Sequence, residues 1–180
     1  MKFVFSPFLA LVLLGARAAF AHITLEHQTA HAGSYYKANF KVGHGCGSSP
    51  IRQIVVQIPV GVQGAKPMPK PGWDLLIERA PLAQPYTDHG RRVTEDVVRI
   101  SWSAKTPADH LLNEHYDEFA LHAKLPAQPG PLYWSVSQVC VDGRIDWSHL
   151  PAAGQTLRQL KTPAALLDLL PAGGGASHAH

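Results

Sequence analysis

The sequence predicts an all-β protein built as an antiparallel sandwich. Three observations carry this. Apolar residues recur with period two in several short segments, turn-forming residues separate those segments, and nothing in the body of the chain has a long helical period. At 36–42, Tyr36, Ala38, Phe40 and Val42 alternate with Lys37, Asn39 and Lys41. At 53–60, Ile54, Val56, Ile58 and Val60 share one face, and at 96–104 Val98, Ile100 and Trp102 share another. At 118–125, Phe119, Leu121, Ala123 and Leu125 point inward, leaving Glu118, Ala120, His122 and Lys124 outward. The run 132–141 sets Leu132, Trp134, Val136 and Cys140 on one side. Ala32-Gly33-Ser34, Gly45 to Pro50, Pro69 to Gly72, Pro129-Gly130-Pro131 and Asp142-Gly143 supply the turns. A sandwich is the packing such strands favour.

The two ends of the chain read differently from the body. Lys2 followed by the apolar run 3–16 and by Ala19-Phe20-Ala21 has the form of an export signal cleaved after Ala21. The run is too short for a good membrane span, and no later segment approaches the roughly 18 apolar residues that one needs. The expected product is a soluble periplasmic or secreted domain over residues 22–160. Residues 161–180 are expected to be a flexible tail with one short helical turn near 164–170, running into a Gly-rich end.

Composition narrows the function. The formal charge of +3 includes Lys2 and Arg17 of the signal, so the mature chain is nearly neutral. No basic stripe interleaved with aromatics is present, which argues against a nucleic-acid partner. An even pair of cysteines, Cys46 and Cys140, in an oxidising compartment is expected to form a disulfide. It closes a loop of about 95 residues, worth roughly 4–5 kcal/mol in the chain-entropy account. No C-x-x-C spacing favours a thiolate metal site instead. No Ser-His-Asp spacing or paired-carboxylate motif points to a hydrolase.

All eleven histidines lie beyond residue 21. His22 stands out because cleavage after Ala21 makes it the first residue. Its free α-amine and its imidazole then form one chelate, which does not exist in the precursor. His27, His31 and His122 read as surface residues and His44 as part of a tight turn. His178 and His180 are weak candidates for loose metal binding, and Met68 reads as a turn residue.

A set of segments in fixed order now identifies a resemblance. "AHITL", "AGSYYKANFKVGHGC", "IVVQIPVGV", "PMPKPGW", "ISWSA", "YDEFALHAKLP", "GPLYWSVSQVC" and "DGRIDW" run through residues 21–151. Together the chain resembles the YcnI-like family of exported copper-binding proteins, in the form with Gly-Cys early and Gln-x-Cys late found in its proteobacterial branch. The resemblance implies an immunoglobulin- or fibronectin-like sandwich and a Cu(II) site of the mono-histidine brace type. Carried onto this chain, the brace is His22, the acidic ligand is Glu118 with Asp117 as the alternative, and the adjacent tryptophan is Trp147 among Trp73, Trp102, Trp134 and Trp147. The chain departs from the commoner family pattern at "CVDG", where many relatives carry a glutamate before the Asp-Gly.

The donor chemistry agrees. Cu(II) suits nitrogen and oxygen donors, whereas Cu(I) prefers thiolates and thioethers. The mature chain offers only Met68 and two cysteines expected to be oxidised. The expected role is copper capture or delivery, with copper-trafficking or membrane copper-transport proteins as partners and no enzymatic activity. Two competing readings are a histidine-brace oxidase or monooxygenase, which would need a second histidine, and a metal-free interaction sandwich.

Overall fold

The computed structural model describes residues 22–173. Residues 1–21, where the export signal is expected, and His178 and His180 lie outside the described residues. Among the described residues the chain forms twelve strands and two 3-10 turns. The first sheet has the order β1 (Thr24–Leu25), β3 (Tyr35–Val42), β8 (Asp117–Lys124), β5 (Gln63–Pro67). The second has β11 (Arg144–Trp147), β10 (Val136–Cys140), β4 (Ile51–Gln57), β7 (Arg91–Ala104), β6 (Trp73–Asp88). A small third sheet joins β2 (Thr29–His31), β12 (Ala165–Leu170) and β9 (Gly130–Trp134). All pairings among the named strands are antiparallel except β2 with β12.

Aromatic residues knit the layers together. Phe119 of the first sheet meets Trp73 and Trp102 of the second edge-to-face, with ring centroids 5.1 and 5.7 Å apart. Phe40 meets Trp134 of the third sheet at 5.7 Å in the same way. Such pairs add about 0.5–1.5 kcal/mol each beyond the area they bury. Ile54, Val56, Ile100, Leu121 and Leu167 complete a dry interior. The disulfide between Cys46 and Cys140 is present, with the Cα atoms 6.0 Å apart.

Four expectations about elements change. The run 132–141 is two strands: the chain leaves the third sheet after Trp134, passes Ser135 and enters the second sheet at Val136. In β7 it is Val97 that is buried, while Val98 is exposed, because the register against β6 shifts between Glu78 and Arg79. Such a bulge moves the side chains beyond it to the other face. Val60 is 98% exposed rather than inward, since β4 ends at Gln57 and Val60 lies in the turn that follows. The tail is also corrected. Residues 165–170 form neither a helical turn nor a free segment but β12, held between β2 and β9, with Ala165, Leu167 and Leu169 buried. Leucine and alanine favour helix in isolation, and the sandwich edge overrides that preference.

Each long sheet leaves an open edge on the same side of the molecule. β1 ends the first sheet and β11 ends the second. His22 stands just ahead of β1, and Trp147 is the last residue of β11.

Candidate metal centre

Ile23 and Leu25 are buried and anchor the N-terminal strand, and β1 runs antiparallel to β3 with Thr24 opposite Lys41. This anchoring carries His22 to the edge between the two sheets. There its imidazole meets the indole of Trp147 edge-on, with centroids 5.6 Å apart and planes at 62°. Trp147 is only 1% exposed, so it forms a rigid wall beside a half-buried histidine. Its Nε1–H donates to Gln138 Oε1 at 2.9 Å, and Gln138 Nε2 donates to the backbone carbonyl of His44 at 2.6 Å. Gln138 is itself 1% exposed. A buried amide that spends both ends on fixed partners pins the indole and the 43–50 loop to one another.

Glu118 is placed differently. Its outward parity is as expected, but on β8 it lies opposite Lys41, which lies opposite Thr24. Two strand spacings separate it from β1, about 10 Å. Its carboxylate accepts from Asn39 Nδ2 and from the Tyr116 hydroxyl. Asn39 also donates to Glu26 Oε2 at 3.1 Å. The Tyr116 bond, then the Asn39 bond, hold the Glu118 carboxyl below its ordinary range. Burial, then the Glu118 bond, push the Tyr116 hydroxyl up to about 12. Asp117, the alternative acid, pairs with Lys70 at 2.6 Å. The fold therefore brings His22 and Trp147 together and employs Glu118 and Asp117 in other polar contacts. Among the described residues no group of three or more His, Cys, Asp and Glu side chains converges.

Trp73, Trp102 and Trp134 are core residues, the first two packed around Phe119. His122 stacks on Tyr35 with ring centroids 5.4 Å apart, and His31 Nδ1 bonds to the Pro171 carbonyl at 2.8 Å, as suits surface histidines. His44 and Gln138 are the neighbours that sequence reading missed. Their visible signal was position: each sits two residues before a cysteine of the disulfide, in "HGC" and "QVC".

Fold and site define a disulfide-bonded, immunoglobulin-like β-sandwich in which His22 lies against a buried tryptophan at the sheet edge. The chain belongs to the family described as a domain of unknown function, DUF1775, which matches residues 22–169 and is the YcnI family. The match begins at His22 and takes in β12. Among solved structures, the chain is similar to a protein from Nocardia farcinica whose crystal structure is described as an immunoglobulin-like fold. The TM-score is 0.64 at 22% identity, covering 82% of this chain and 97% of that one. No curated protein matches the chain. Among the described residues no helix is long and apolar enough to cross a membrane.

Proposed function

We propose that this protein is exported and, once processed to begin at His22, binds one Cu(II) ion at its N-terminus and hands it on within a copper-trafficking route. The observation that carries the reading is the contact of the His22 ring with Trp147. It places the one residue able to offer both amine and imidazole against a dry, fixed indole.

The residues present fit the ion. His22 would hold it through the α-amine and the ring, and Trp147 would cover one side, excluding water and offering its π-face to positive charge. When bound, Cu(II) takes nitrogen and oxygen donors in a near-planar set, which leaves positions for water or a receiving protein. No free thiol is available to favour Cu(I), since both cysteines are bridged. The amine, with an ordinary pKa near 8, must lose its proton to coordinate, so binding weakens as pH falls. Glu118 would contribute an oxygen only by exchanging its bonds to Asn39 and Tyr116.

The test is a Cu(II) titration of three proteins: the chain starting at His22, the same chain extended by one alanine, and His22→Ala. Tight one-to-one binding by the first alone is expected. Equal binding by the extended form removes the α-amine from the site and with it this reading. Peroxide formation from the copper-loaded protein with a reductant would turn the assignment toward an oxidase.

A further inference from the structure

We propose that His44 supplies a second imidazole, through Nε2, to the ion chelated by His22. This rests on the Cu(II) reading above and extends it to a residue the mono-histidine brace does not include.

His44 Nδ1 lies 2.7 Å from the carbonyl oxygen of Gly45. A carbonyl can only accept, so in the neutral ring Nδ1 carries the hydrogen and Nε2 carries the lone pair. That Nε2 is buried and has no hydrogen-bond partner. Leaving a buried polar atom without a partner forfeits its hydration with nothing in return. Gln138 and the Trp147 N–H beside it are both satisfied, and the other bare buried nitrogen among the described residues, Trp134 Nε1, is an indole N–H with no lone pair to offer. A ring whose far N–H is tied to a backbone carbonyl, with the other nitrogen bare, is the arrangement that metal-bound histidines adopt.

Backbone placement agrees with this. Extending the β1–β3 register by two residues from Thr24 opposite Lys41 sets His22 beside Gly43, the residue before His44. The His44 carbonyl is tied through Gln138 to Trp147, whose indole contacts His22. The loop has little freedom to move away. Cys46 is bridged to Cys140, and the Gly45 N–H donates to Asn113 Oδ1 at 3.1 Å. A Cβ on Gly45 would stand 1.9 Å from the Ser49 carbonyl oxygen, so the chain beside His44 is packed against its own turn. Amine and ring from His22 with one ring from His44 give three nitrogens from two residues, a set that Cu(II) favours.

The experiment uses the chain beginning at His22, loaded with one equivalent of Cu(II). Pulsed EPR counts coordinated imidazoles, and competition with a chelator gives the affinity. The unaltered protein should show two imidazoles. His44→Asn keeps an N–H donor for the Gly45 carbonyl and removes the Nε2 ligand. It should show one imidazole and bind at least about tenfold more weakly, the lower bound set by the loss of groups that only support a ligand. A single imidazole in the unaltered protein overturns the proposal whether or not the variant folds. So does a folded His44→Asn variant with unchanged count and affinity, which would leave the His22 reading standing. Failure of the unaltered protein to bind Cu(II) would instead bring down both.

Discussion

The two open edges of the sandwich treat buried polar groups in opposite ways. At one, β5 faces the long β6–β7 ribbon, and Asp96, only 4% exposed, sits between them. Its carboxylate accepts from the Gly64 N–H of β5 at 2.8 Å, from the Tyr86 hydroxyl at 2.7 Å and from the Val97 N–H at 2.7 Å, so its buried oxygens are well supplied with donors. Burial, then the Asp96 bond, raise the Tyr86 hydroxyl to about 12, which keeps it a donor at any ordinary pH. At the other edge, between β1 and β11, Gln138 is equally well partnered, yet His44 Nε2 beside it is left bare. The first edge is closed by its own atoms. The second is built with the same care and stops one partner short, at the edge where His22 meets Trp147. An unmade bond within an otherwise complete network is a better guide to function than the network itself.

The comparison can be broken in several ways. The largest expected effect is on stability at the edge that carries His22. Trp147→Ala empties a buried site and strands Gln138 Oε1, and should cost about 3–5 kcal/mol in urea unfolding. A loss below 1 kcal/mol would mean that the indole is not the wall described. Replacing Cys46 and Cys140 together by serine should cost about 2–5 kcal/mol. It should also weaken Cu(II) binding, because the 43–50 loop loses its tether. Lowered stability with unchanged affinity would separate the disulfide from the site.

At the closed edge, Asp96→Ala leaves the Tyr86 hydroxyl and the Gly64 N–H without their acceptor, for about 1–3 kcal/mol. Copper affinity should not move, and a shift by more than about threefold, roughly 0.6 kcal/mol, would show that the two edges are coupled. The smallest effect belongs to Glu118→Gln. The Glu118 carboxyl is held below its unfolded value, so its contribution is present above the unfolded pKa and lost as pH falls through the lower folded one. The variant should be slightly less stable than the native protein at pH 7, by under about 1 kcal/mol for so exposed a group. That difference should begin to shrink as pH falls through about 4 and vanish only below the lowered folded value. A loss of copper affinity in this variant, with stability unchanged, would return Glu118 to the metal.

Much of this was legible in the residues, and the rest failed for definable reasons. The strands around Phe40, Ile54 and Phe119 follow from period-two alternation, because one face of each is buried and a slip would expose it. The bridge between Cys46 and Cys140 followed from their number and expected compartment. Of the four tryptophans weighed for the site, Trp147 is the one whose ring meets His22. The side toward which Glu118 points was also legible, but not its place along the sheet, because parity fixes a face whereas position depends on which strands become neighbours. β12 was missed although Ala165, Leu167 and Leu169 alternate inward, since its composition mimics a helix and its partners β2 and β9 are distant in sequence. Position two residues before Cys46 was the one mark His44 carried in the sequence, and it reads equally as a tight turn. Its distinguishing mark is a missing hydrogen bond, which exists only after everything around it has folded.

The parallel pairing of β2 with β12 has a consequence for the order of events in the cell. Thr29 lies beside Asp168, so β2, the second strand after His22, finds its lateral partner only when nearly the last residue of the domain has been delivered. Contacts so distant in sequence form late, because a long loop must close before they return any stabilisation. Trp147, Gln138 and Cys140 also arrive in the final third of the chain. A chain emerging N-terminus first therefore displays His22 early, but on an unsupported thread without its indole wall. The contact between His22 and Trp147 therefore closes only when the domain is nearly complete, and a half-delivered chain lacks it.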